Sequence, residues 1–125
     1  KDRTKMRVAA AEAMGALVNI KTTNYLLRVA RGDKDDKVAK AAALALGRHV
    51  ANRKVVIPKL VSMYGQALKD RKAKSDKKKL RASRMGDAYR NALRDLTGQD
   101  FTDPKTARNW LNENRKALNA EEIVK

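Results

Sequence analysis

Residues Lys69 to Lys79 read KDRKAKSDKKK, seven bases and two acids in eleven positions. Lys69, Arg71, Lys72, Lys74, Lys77, Lys78 and Lys79 are the densest cationic set in the chain. The chemistry open to them is contact with phosphate or sulfate by charge, without reading a base sequence. Aromatic residues barely interleave with them, which argues against stacking on single-stranded bases. Like-charge runs also serve as plain solvated surface, and that reading stands beside the first. Asp33, Asp35 and Asp36 crowd another short stretch, but without the spacing or the distal Glu of a calcium loop, so helix capping is their expected work. His49 is the only histidine and no His, Glu or Cys cluster accompanies it. Near a helix C-terminus it is expected to meet free carbonyls rather than a metal or a substrate proton. Trp110 has Arg108 and Arg115 nearby, yet shares a helix face with Ala107, Leu111 and Leu118, so it is expected in the core with Phe101 against it. The chain has no cysteine, hence no thiolate ligand and no thiol nucleophile. No catalytic set, metal site or cofactor motif is expected.

The elements that position these residues must fit 125 residues, enough for one domain with a modest core. Apolar residues make up 42%, but only five are aromatic, so Ala, Leu, Val and Met must fill the interior, as suits closely packed helices. Net charge is +16, of which the basic run supplies +5 and the other 114 residues +11. A chain this cationic should associate with polyanions in a salt-dependent way, whether nucleic acid, acidic polysaccharide, anionic membrane or acidic protein. The longest charge-free stretch, Leu60 to Leu68, is far below the ~18 residues a membrane span needs. The chain begins at Lys1, and we expect it to be a piece of a longer parent protein.

Apolar spacing predicts a first helix over Thr4–Asn19, with Met6, Ala10, Ala13, Met14 and Leu17 on its inner face. A second runs from about Thr23 to Arg31, capped by Thr22 or Thr23 and ended by Gly32. A third runs from Lys34 or Asp36 to His49. A fourth opens at Asn52 and reaches about Lys72; Pro58 requires it to start at Lys54 or later, or to kink. Asp76 is expected to cap a long helix to Leu96, stopped by Thr97-Gly98, with Met85, Tyr89, Ala92 and Leu96 inward. Arg84, Arg90 and Arg94 lie on its far side, interleaved with Asp87 and Asp95 as a solvated, ion-paired face. Asp103-Pro104 starts the last helix. Six helices and no strand make the class all-α.

The helices also repeat. VAAAEAMG from Val8 matches VAKAAALA from Val38, and RMGDA at Arg84 echoes AMGAL at Ala13, which places Met14, Leu44 and Met85 at equivalent interior positions. LLRVA at Leu26 likewise matches LVSMY at Leu60. Alternating pairs of this kind predict a right-handed α-solenoid of stacked antiparallel helix pairs. Met14 to Leu44 spans 30 residues and Leu44 to Met85 spans 41. Seven of the eleven extra residues fall between Leu60 and Met85, so the basic run at 69–79 is an insertion in the turn between paired helices.

DKDDKVAKAAALALGRH, from Asp33, resembles a HEAT-like repeat, with its acidic turn before an alanine-rich second helix. It departs in one respect: Ala9 and Ala39 follow the helix-start valines, and the bases Arg7 and Lys37 precede them. The ending LRDLTGQDFTDPKTARNWL is similar to the tail of bacterial HEAT-like domains. The resemblance implies one HEAT-like domain over 1–125, with a capping helix and tail at 99–125. It implies a non-catalytic interaction or scaffold module whose cationic surface meets an acidic protein or a polyanion. A sequence-independent nucleic-acid-binding module is the alternative. An enzyme on a similar fold, such as a DNA glycosylase or bilin lyase, would need an aromatic-lined pocket with a placed carboxylate, which five scattered aromatics do not supply.

Overall fold

The computed structural model describes residues 2 to 125, and among them there are six α-helices, one 3-10 turn and no strand. The helices are α1 (Asp2–Met14), α2 (Ile20–Gly32), α3 (Asp36–Leu46), α4 (Arg53–Asp70), α5 (Asp76–Thr97) and α6 (Pro104–Asn119), with the 3-10 turn at Val50–Asn52 before α4. α3 packs against α1, α2 and α5; α4 packs against α5 and α6 and more lightly on α2. Among consecutive helices, α2 packs on α3 and α4 on α5. Leu26, Leu46, Val56, Ile57, Leu60 and Leu93 are sealed where these helices meet, with alanines between them. The alanines let the axes come close: at Gly47, just past α3, a Cβ would lie 3.1 Å from the Ala92 Cα of α5.

Local chemistry sets the helix ends. Asn19, not Thr22 or Thr23, caps α2: its side chain accepts from the Thr22 amide while the Thr22 hydroxyl accepts from the Asn19 amide, a reciprocal capping box. Asp35 caps α3 by accepting from the Lys37 amide at 2.9 Å. Ser75, one residue before the expected Asp76, caps α5 through its hydroxyl and the Lys78 amide. Gly98 ends α5 in the left-handed region at φ 75°, a conformation that costs glycine little. Asp103 caps α6 with Pro104 in its first turn, as expected. Helix α4 begins at Arg53 and takes Pro58 into its interior rather than delaying its start to Lys54.

Two expectations about packing fail. The stripe Met6, Ala10, Ala13, Met14 and Leu17 is only in part the inner face of α1: Met14 packs on the core and Ala10 is half-buried, but Ala13 is exposed, Met6 is 68% exposed and Leu17 58%. The helix instead turns Val8 and Ala11 inward and stops at Met14, short of Asn19, with Gly15 buried just beyond its end. Alanine-rich on every side, it offers no single apolar stripe, and its main neighbour, α3, selects the face. Met14, Leu44 and Met85 are likewise not equivalent. Met85 is buried and Met14 partly so, but Leu44 is 37% exposed, because α3 meets its neighbours with Val38, Ala39, Ala42, Ala43 and Leu46. The inner stripe of α5 is as expected, as is the edge-to-face contact of Phe101 on Trp110, ring centres 6.1 Å apart.

His49 is fully buried, and a polar network runs through it. Its Nε2 lies 2.8 Å from the carbonyl of Met14, the last residue of α1. A carbonyl only accepts, so Nε2 carries the proton and Nδ1 accepts from the Thr23 hydroxyl at 2.7 Å. Thr23 Oγ1 accepts in turn from the Asn52 side-chain amide at 3.1 Å. Asn52 also pairs with the backbone of Val124, donating to its carbonyl and accepting from its amide. The carbonyl that His49 meets is therefore that of another helix, and it also accepts from the Leu17 amide at 3.1 Å. Arg53 extends the lock on the C-terminal tail with a 2.7 Å ion pair to Glu121.

Several carboxylates are stabilised in their charged form. The Lys37 amide holds Asp35 low, the Arg90 guanidinium holds Asp100 low, the Thr106 amide and hydroxyl hold Asp103 low, and the Arg53 guanidinium holds Glu121 low. A depressed folded-state pKa contributes stability that is complete above the ordinary values of 3.8 for Asp and 4.5 for Glu, and is lost as pH falls through the folded values. Urea midpoints should therefore stay level down to about pH 5 and drop below about pH 4. A midpoint that rises on acidification to pH 3 would contradict this assignment.

Candidate polyanion interface

The seven bases of the run are all exposed. They do not form a separate loop. Lys69 closes α4, Arg71, Lys72 and Lys74 lie in the five-residue connection, and Lys77, Lys78 and Lys79 occupy the first turn of α5. The extra residues thus lengthen the helix pair as well as its turn. Asp70 faces back toward Lys78 at 3.6 Å.

Neighbouring turns are tied to the same edge. The Arg81 guanidinium donates to the Lys34 carbonyl at 3.3 Å and to Asp36 at 2.9 Å, and Arg84 reaches the other Asp36 oxygen at 3.3 Å. On the far side of α3, Arg7 of α1 pairs with Asp33 at 2.9 Å, and Thr4 donates to Asp35 at 3.2 Å. Bases of α1 and α5 thus pair with acids at the start of α3, and Arg7 does so although it precedes the helix-start Val8. On α5, the ion partners of Arg84 and Arg90 are Asp36 and Asp100, across elements, and not the interleaved Asp87 and Asp95. Arg108 of α6 lines a shallow cleft together with Lys69 and widens the basic surface beyond the run.

The acids of the neighbouring turn are occupied in folding. Asp33 and Asp36 bind arginines and Asp35 caps a helix. Most bases of the run have no such task; among them only Lys78 makes an ion pair within the described residues. Three lysines in a first helical turn also oppose the positive end of the helix dipole, a local cost that Asp76 only partly offsets. An approaching anion reverses that cost: it meets both the ammonium groups and the free amides of the α5 N-terminus. Chemically the edge can hold phosphate or sulfate oxygens. Among the described residues no group of three His, Cys, Asp or Glu could hold a metal ion, and no helix is long and apolar enough to cross a membrane. The run was legible in the sequence; Arg108 and the clamp of Asn52 and Arg53 on the C-terminal tail were not, since no local pattern marks them.

Compared with protein-family models, curated proteins and solved structures, the chain matches none.

Proposed function

We propose that the chain is a HEAT-like helical-repeat module that binds rather than catalyses, and that its cationic edge engages a polyanion without reading sequence. The observation that carries this is the imbalance at one edge. The seven bases of 69–79 are exposed, while Asp33, Asp35, Asp36 and Asp70 are spent on caps and ion pairs and, among the described residues, only Asp76 of the run is without such a bond. The pairing of α2 with α3 and α4 with α5, with α1 and α5 flanking α3, supports the repeat reading, which places the run at a turn where such arrays present binding surfaces. His49 supports binding over catalysis, because both its ring nitrogens are taken up by buried hydrogen bonds. Phosphate and sulfate esters suit the edge best, since the helix N-terminus adds amide donors to the lysines.

Fluorescence anisotropy with two unrelated DNA duplexes tests the proposal. If about four to six phosphates are neutralised, log K should fall against log salt with a slope of roughly −4 to −5, the same for both sequences, and heparin should compete. A slope shallower than about −1, or a strong preference between the duplexes, would overturn it. Binding to an acidic peptide alone would move the reading to an acidic protein partner.

A further inference from the structure

A cavity of about 350 Å3 opens between the end of α2, the second half of α4 and the first half of α5. Its floor is apolar: Met63, Ala67, Ala82 and Met85 line it, all at least nine-tenths buried. Its rim carries three bases, Arg31, Lys78 and Arg81, with one acid, Asp70, and the polar Ser62 and Gln66. Tyr89 also lines it, with only 6% of its surface exposed. The Tyr89 hydroxyl has no hydrogen-bond partner among the described residues, yet no buried side-chain oxygen or nitrogen is shut away unpaired. It therefore opens into the cavity. Burial pushes its pKa up, while Arg81 and Arg31 are close enough to work against that rise. Tyr89, Arg31 and Arg81 thus line one cavity with an apolar floor, the pattern of a site for an apolar body with one polar head.

Charge accounting sets the head group. Arg81 is shared with Asp36, and Lys78 with Asp70, which also accepts from Gln66. Arg31 has no ion pair among the described residues and leaves about one uncompensated positive charge, which suits a monoanion better than a dianionic phosphate monoester. At ~30 Å3 per water-sized group the cavity has room for about a dozen heavy atoms.

We propose that this cavity binds a medium-chain carboxylate, its head between Arg31, Arg81 and the Tyr89 hydroxyl and its chain over Met63, Ala67, Ala82 and Met85. The site goes beyond the polyanion reading and does not depend on it, since duplex DNA cannot enter a cavity of this size.

The test uses the whole chain, with the Met63 and Met85 methyl groups and the Tyr89 ring followed by NMR during titration with octanoate, acetate, 1-octanol and octyl phosphate. Octanoate should shift all three signals saturably and bind at least about tenfold more tightly than acetate or 1-octanol, because neither control carries both halves of the recognition. Arg31→Gln should weaken octanoate by about tenfold and Tyr89→Phe by about fivefold, with helicity unchanged in both. Octanoate binding no tighter than either control, or unaffected by both substitutions, would overturn the proposal. Tighter binding of octyl phosphate than of octanoate would overturn the carboxylate assignment.

Discussion

Replacing His49 by alanine is expected to lower the unfolding free energy by about 3 kcal/mol or more, the largest single effect we foresee. The side chain is fully buried and holds both the carbonyl that ends α1 and the Thr23 hydroxyl of α2. Removal leaves the buried Thr23 hydroxyl proton without its acceptor, at about 1–3 kcal/mol, leaves the Met14 carbonyl only its bond from the Leu17 amide, and adds a cavity. Total stability for a domain is of order 5–15 kcal/mol, so the variant should melt roughly 10 °C or more below the parent. Thr23→Val removes the middle of the same chain and should cost about 1–2 kcal/mol. The double variant should cost less than the sum by at least ~0.5 kcal/mol, because the two side chains share one bond. Urea unfolding checks all three. A His49→Ala loss below ~1 kcal/mol, or strict additivity, would mean that the network does not hold α1, α2 and the tail together.

The second large effect is on binding. Changing Lys77, Lys78 and Lys79 together to alanine should flatten the salt slope on duplex DNA by about two to three units and weaken binding on the order of 10- to 100-fold near 0.1 M salt. Stability should move the other way, or not at all. The substitutions remove positive charge from a helix N-terminus and add better helix formers. Only the 3.6 Å contact of Lys78 with Asp70 is lost, an exposed pair of small worth. Weaker binding with undiminished stability marks these lysines as functional. Unchanged affinity and slope would leave the other bases, a net +11, as the source of attraction and make the run plain solvated surface.

What could be read from sequence followed how local the cause was. Asp103-Pro104, Thr97-Gly98 and the inner stripe of α5 were legible because a cap, a left-handed glycine and a clean apolar period each act within a few residues. The burial of Phe101 against Trp110 followed from one apolar face. Helix α1 was not legible to the same degree: with alanines on every side its inner face depends on α3, and its end at Met14 coincides with a bond from His49, 35 residues away. Leu44 matched Met14 and Met85 in sequence but not in burial, because repeat matching sees residue type and not the neighbours that fix orientation. For the candidate interface the bases themselves were plain, whereas the pairs of Arg7 with Asp33 and of Arg81 with Asp36 span 26 and 45 residues and have no local signature. The cavity by Tyr89 depends on three helices meeting, so no stretch of sequence announces it.

The central claim is that polyanions dock on the edge formed by the end of α4 and the start of α5. A backbone chemical-shift map of the whole chain with a short DNA duplex, at about 0.1 M salt, tests it most directly. The account predicts the largest shifts over 69–79, with smaller ones at Lys34, Arg81 and Arg108, which adjoin that edge. Lys21, Lys54 and Lys116, at the opposite ends of their helices, and Arg48, just past the end of α3, should barely move. Shifts of equal size at those four positions, or a maximum centred on them, would contradict it.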